Sequence, residues 1–425
     1  MGADTAAARL TALAADCVDH RFKGLPPDAR GLTVGELTAQ RRNLFTDGFT
    51  TPVLALSAER LTHNLALMES YAARHGLAFA PHGKTSMAPQ LFHRQIEHGA
   101  WGITLAVPHQ VWVAREFGVQ RVFLANELVD AAALRRIAAE LTADPDFRFV
   151  CYVDSVRGVE LMAAALHGSA RPVDVVVELA AGEGARTGVR TEAECAAVAD
   201  AVAATPTLRL VGVAGYEGEV PEADPARVHA WLGRLTALAV DFDKAGRFAG
   251  VEEVVVSAGG SAWFDAVADV FAEIPELSRP VLKLLRSGAY VSHDDGHYRR
   301  LTPFARVPEE GALHPAFRLW SQVVSRPSPE QAFVNAGKRD AAYDLDLPEA
   351  QVIRRDGRER PAEGVAVTGL SDQHGWLTTS AGADLEVGDW VGLGLSHPCT
   401  SFDKWQLIPV VEADGTVVDY VRTFF

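Results

Sequence analysis

A lysine at the end of an apolar run of strand length can be desolvated and made nucleophilic. The stretch Leu77-Ala-Phe-Ala-Pro-His-Gly-Lys-Thr-Ser86 places Lys84 there, directly after His82 and Gly83. Alone it reads as an ordinary surface lysine, so its company decides. Ser257-Ala-Gly-Gly-Ser261 follows another apolar run. Gly259 and Gly260 would let backbone N–H groups approach an anion, and the helix expected next would aim its positive end at the same spot. Arg286-Ser-Gly-Ala-Tyr290 adds Ser287, Gly288 and Tyr290. Arg186, in Gly184-Ala-Arg-Thr-Gly188, and Tyr216, in Gly215-Tyr-Glu-Gly218, also follow strand-like runs. Further on, His397 and Cys399 stand two apart, so on an extended backbone both project to one face, where imidazole and thiolate would suit zinc. Gln373 and His374 form a polar turn with His374 a candidate to face a cofactor. His293, Asp294, Asp295 and His297 read as a surface loop more than as a metal site.

The elements that must position these groups are regular. Apolar strand-length runs fall at about 77–81, 102–107, 121–125, 147–153, 173–180, 208–215, 252–257 and 281–286, separated by alanine-rich helical segments such as about 128–142 and 224–245. Near-continuous apolar strands alternating with helices predict a parallel sheet covered on its faces, and eight of them fit a (β/α)8 TIM barrel. An open doubly wound sheet is the rival, but its usual Gly-x-Gly-x-x-Gly turn is missing after the first strand. Residues 1–50 read as a helical segment, with helices at about 5–20 and from near Thr33. Residues 51–303 read as the barrel, preceded by a strand at 51–57, and 304–425 as an antiparallel β domain of short turn-separated strands. In a barrel, chemistry sits at the C-terminal strand ends, with phosphate held after strands 7 and 8. A lysine after strand 1 facing such a cradle suggests pyridoxal 5′-phosphate held as a Schiff base, with Arg186 donating to the pyridine nitrogen and Tyr216 near the ring.

The 425 residues carry a formal charge of −15, which argues against a general nucleic-acid or anionic-membrane binder. No apolar run reaches the roughly 18 residues of a membrane span, and no basic region precedes an apolar core at the N-terminus. Four scattered cysteines without a Cys-x-x-Cys pair fit a reduced, cytoplasmic protein, with Cys17, Cys151 and Cys195 expected as small packing residues.

Pro81-His-Gly-Lys-Thr85, Gly184-Ala-Arg-Thr-Gly188, Gly215-Tyr-Glu-Gly218, Ser257-Ala-Gly-Gly-Ser261, Ser287-Gly-Ala-Tyr290, Asp372-Gln-His-Gly375 and His397-Pro-Cys-Thr400, in this order, resemble the D-serine dehydratase / D-threonine aldolase family of fold type III (alanine racemase-like) pyridoxal-phosphate enzymes, including actinobacterial proteins labelled amino acid deaminase. The resemblance implies Lys84 as the Schiff-base lysine and Arg186 at the pyridine nitrogen. It puts Ser257, Gly259, Gly260, Ser261, Ser287, Gly288 and Tyr290 around the phosphate, His82 and Tyr216 by the cofactor, and a divalent metal, most often zinc, on His397 and Cys399. It further implies that the strand at 51–57 joins the β domain, and that two chains form a head-to-tail homodimer. Cys399 resembles the dehydratase branch, since the aldolase branch tends to carry aspartate there. Ala80 stands where eukaryotic D-serine dehydratases commonly have an arginine before Pro-His, and Thr85-Ser-Met follows the lysine where they have Thr-His-Lys. The substrate carboxylate is therefore expected to be held differently.

The resulting expectation is a lyase that β-eliminates water from a D-3-hydroxy amino acid such as D-serine, the enamine product then being hydrolysed to a 2-oxo acid and ammonia. D-threonine-type aldol cleavage is the alternative. A non-catalytic pyridoxal-phosphate carrier is the alternative of another class, although such carriers generally lack the β domain.

Overall fold

The computed structural model describes residues 3–425. The first helix, α1 (Ala3–Leu13), is shorter than expected because the chain after Ala14 runs back along residues 31–34: Val18 N donates to Leu32 O and Val34 N to Asp16 O. Thr33 then caps α2 (Val34–Ala39) in a reciprocal box with Glu36. β1 (Val53–Ser57) ends at the N-cap of α3 (Ala58–Arg74), whose Leu61, Leu65, Met68, Tyr71 and Ala72 form one buried stripe.

The eight predicted strands follow as β2 (Ala78–Phe79), β3 (Ile103–Leu105), β4 (Arg121–Glu127), β5 (Arg148–Val153), β6 (Val173–Leu179), β7 (Leu208–Gly215), β8 (Val254–Ala258) and β9 (Val281–Leu285). They form one parallel sheet, β2 pairing with β9 and the rest following in reverse chain order to β3. Helices cover the outside and side chains fill the inside, so strands such as Val173–Leu179 are buried on both faces. The sheet closes on itself. Between β2 and β3, Trp101 N donates to Phe79 O at 2.6 Å and Thr104 N to Pro81 O at 2.9 Å, and His82 and Thr104 form a parallel bridge.

The second sheet takes β10 (Phe317–Ser328), β11 (Gln331–Val334), β12 (Glu349–Arg355), β13 (Arg358–Pro361), β14 (Val365–Leu370), β15 (Gly375–Thr379), β16 (Trp390–Gly394), β17 (Leu407–Val411) and β18 (Val417–Arg422). Its pairings are antiparallel except that of β1 with β17. β1 lies between β10 and β17, so the strand at 51–57 belongs to this sheet. The N-terminal segment packs on it too, Val18, Phe22, Leu25, Leu37 and Leu44 meeting Val53, Ala55, Trp320 and Leu407. Among the described residues no helix is long and apolar enough to cross a membrane. Of the three cysteines expected to pack, Cys151 and Cys195 are buried; Cys17 is exposed, on the segment that bridges to Thr33.

Candidate active site

β2 hands the chain through Pro81 and His82 to a single 3-10 turn, Gly83–Thr85. Gly83 is required by close approach, since a Cβ there would lie 2.6 Å from Ile103 Cγ2 and 2.8 Å from Phe92 Cε1. The turn delivers Lys84 into a cavity of about 600 Å³ at the C-terminal ends of the barrel strands. Burial pushes the Lys84 amine below its usual pKa. The Cys399 thiolate opposes this, and Arg186 and Arg286 add to it. His82 lines the same cavity with its Nδ1 buried and unpartnered, and burial keeps the ring neutral.

The anion cradle forms differently from the expectation. Gly259 and Gly260 line the cavity, but their N–H groups donate at 2.9 and 2.5 Å to the two oxygens of Glu217, a fully buried side chain after β7. Ser261 lines the cavity beside them, and its hydroxyl receives Ala289 N and Ser287 Oγ at 3.2 Å each. Gly288 lines it as well, and a Cβ there would meet His82 at 2.6 Å. Two expected cradle residues lie inside the protein. Ser257 Oγ donates to Leu284 O, and the Tyr290 ring packs on Phe79 at 5.1 Å while its hydroxyl reaches Gln95.

Two arginines reach the cavity. Arg186 is 73% exposed and ion-paired with Glu219, its guanidinium 5.9 Å from the Tyr216 ring centre. Arg286 is buried. It donates to Gly215 O at 2.7 Å and to Ser257 Oγ, lies 5.4 Å from the Phe123 ring centre, and has no carboxylate partner among the described residues. Arg286 has no role in the sequence-based expectation, although its place just after the strand-length run Val281–Leu285 matches that of Lys84 after its own run. Beside it stand the buried, unpartnered Tyr152 hydroxyl and the acid pair Glu127 and Glu178. Burial and the neighbouring carboxylate push Glu127 up to about 9, and burial raises Glu178 as well.

The β domain brings the second cluster over Lys84. Cys399 lines the cavity, and the His397 imidazole is close enough for the two to perturb each other's ionisation. The bond to Cys399, and then that to Asp344, raise the His397 imidazole to about 9. Burial disfavours the Cys399 thiolate, but bonds from His397 and Thr85 bring its pKa below the usual value. Asp344 was not foreseen. The His293–His297 turn is not a surface loop: His293, Asp294 and Asp295 are buried, because Asp294 receives the N–H groups of Gly296, Tyr298, Arg299 and His397. Gln373 and His374 are exposed and do not line the cavity; the Gln373 amide reaches Asp340 at 3.4 Å.

The family model for the alanine racemase N-terminal domain matches residues 56–273, seven of the eight barrel strands and more than half of the chain. The chain belongs to this fold type III family. A serine dehydratase domain model matches residues 316–411. This family member is 27% identical over 373 residues to D-threonine aldolase of an Arthrobacter species, covering 87% of this chain and 90% of the relative. The D-threonine aldolase structure from Filomicrobium marinum superposes with a TM-score of 0.73 at 26% identity, covering 88% and 95%. D-threo-3-hydroxyaspartate dehydratase from Delftia sp. HT23 gives a TM-score of 0.69 at 23% identity over 88% and 98%, which shows the shared fold. Structures of that dehydratase include variants of a histidine and of a cysteine two positions later, the cysteine variant in a metal-free form.

The residues present fit the family's cofactor. A desolvated amine, a buried cation without a carboxylate partner, and a turn of Ser261, Ser287 and Ala289 N–H surround one cavity. His397 and Cys399 offer one nitrogen and one sulfur, donors that suit a zinc-like ion. Among the described residues no third His, Cys, Asp or Glu completes a metal group with them.

Proposed function

We propose that the protein is a pyridoxal-phosphate-dependent, metal-assisted lyase that eliminates water from a D-3-hydroxy amino acid such as D-serine, giving a 2-oxo acid and ammonia. The observation that carries this reading is that Cys399, two residues after His397, lines the same cavity as Lys84. When bound, the cofactor supplies an aldehyde for the amine of the substrate and an electron-withdrawing ring. A divalent ion on His397 and Cys399 would supply Lewis acidity toward the β-hydroxyl, a poor leaving group.

The chain's own residues do the rest. Lys84, with its pKa depressed by burial, has a free-amine fraction larger than an exposed lysine's and takes the Cα proton as general base. Ser261, braced by Ser287 and the Ala289 N–H group, would hold the phosphate, and Arg286 would supply a buried cation for the ring, with Arg186 at the exposed rim. In the same reading the chain works as a head-to-tail homodimer, and Gln373 and His374, exposed on their own subunit, serve the partner's cavity.

Aldol cleavage to glycine and an aldehyde is the second reading, favoured by the 27%-identical D-threonine aldolase. Product analysis separates the two. D-serine should give pyruvate and ammonia, with activity lost to a chelator and restored by Zn²⁺. Glycine and an aldehyde from D-threonine, with no 2-oxo acid from either substrate, would select the aldolase. Turnover of L-serine alone would refute the stereochemistry.

A further inference from the structure

We propose that Asp344 is a positioning residue that fixes the ring of His397 so that Nε2 is presented to a metal ion beside Cys399 Sγ. This rests on reading His397 and Cys399 as metal ligands. Asp344 Oδ2 lies 2.5 Å from His397 Nδ1, and Asp344 Oδ1 accepts from Thr400 Oγ1 at 2.8 Å. A carboxylate only accepts, so Nδ1 keeps its proton toward Asp344, and the proton a metal ion displaces from the ring is the one on Nε2. The Thr400 hydroxyl, with its proton on Asp344, adds a second acceptor 3.2 Å from Nδ1. The backbone is held as well: His397 N donates to Asp294 Oδ2 at 3.0 Å, and His397 has φ +48°. The imidazole is therefore gripped at its ring and at its backbone, by two elements distant in the chain.

The segment carrying Asp344 is built for this. In Tyr343-Asp-Leu-Asp-Leu347 the two aspartates turn inward, Asp344 to His397 and Asp346 to Ser396 Oγ at 3.0 Å and Arg300 at 2.7 Å, while Tyr343, Leu345 and Leu347 are exposed. A partner on the distal ring nitrogen sets the tautomer and basicity of a ligating histidine, and its loss typically lowers metal affinity 10–100-fold.

The test measures Zn²⁺ affinity by competition with a chromogenic chelator in cofactor-loaded wild type, D344N, D344A and a metal-dead H397A control, with Co²⁺ spectra alongside. D344A should weaken Zn²⁺ binding about 10–100-fold, and D344N less, because its amide oxygen still accepts from Nδ1. In Co²⁺-loaded D344A the thiolate charge-transfer band should persist while the ligand-field bands move, a change that general loosening of the fold would not produce. Asp344 is 42% exposed, so the metal-free variants should melt with wild type. If D344A fails to fold, Thr400→Val removes the brace on Asp344 and should weaken binding in the same direction. Equal affinity in wild type and D344A, with H397A metal-dead, would overturn the role of Asp344 alone. A wild type that binds neither ion would remove the metal site and this inference with it.

Discussion

Cys399 Sγ and Thr85 Oγ1 are hydrogen-bonded across 3.4 Å, joining residues 314 positions apart. Thr85 is the neighbour of Lys84, so one hydrogen bond ties the loop that would hold the metal to the turn that carries the amine. The C-terminal segment repeats the connection, since Phe424 N donates to Met87 O at 2.9 Å. The β domain thereby fixes the distance between two groups that, in the proposed reaction, act on adjacent carbons of one substrate.

Replacing Lys84 by alanine removes both the imine-forming amine and the general base. Activity should fall by about 10²–10⁴-fold or more. Borohydride treatment of the cofactor-loaded wild type should fix the coenzyme on the peptide that contains Lys84, and none should be fixed in K84A; peptide mass spectrometry reads both.

The two arginines should behave differently. Arg286→Met leaves Gly215 O and Ser257 Oγ without their buried donor and should cost about 2–4 kcal/mol in urea unfolding. Arg186 is mostly exposed, so Arg186→Met should cost less than about 1 kcal/mol. Cofactor affinity should drop more for the Arg286 variant than for the Arg186 variant; the reverse order would return the ring-facing role to Arg186.

Glu217 shapes the glycine turn from below. Glu217→Gln keeps one acceptor and loses the second, leaving one of the Gly259 and Gly260 N–H groups unpaired. The loss of one bond to a charged acceptor, about 1–3 kcal/mol, should appear as cofactor binding weakened roughly ten-fold in an absorbance titration.

Glu127 makes stability pH-dependent. Its folded pKa, near 9, lies above the ordinary carboxyl value, so between about pH 5 and pH 9 the folded state holds a proton that the unfolded state has released. Stability should therefore fall as pH rises through this window, with a slope of up to about 1.4 kcal/mol per pH unit. Glu127→Gln should match wild type near pH 5 and exceed it near pH 9. Melting curves across pH that show parallel slopes for the two proteins would count against a shared proton at Glu127 and Glu178.

Local patterns in the chain determined the eight strands, the placing of Lys84 after the first of them, and the His-x-Cys spacing. Strand and helix periodicity, and the position of a residue just after an apolar run, are properties of neighbouring residues, and they survive without knowledge of the fold. Which distant groups meet was decided only when the barrel closed and the second sheet settled on it. Glu217 lies 42 and 43 positions from the glycine N–H groups it accepts, and Asp344 lies 53 from His397. Arg286 took the interior place and Arg186 the rim because β9 sits between β2 and β8 in the closed sheet, whereas Arg186 leaves β6 on a loop held by Glu219. Tyr290 and Ser257 face the core, and Gln373 and His374 face solvent, for the same reason: spacing tells on which side of an element a residue stands, and only the packing of elements tells what lies on that side.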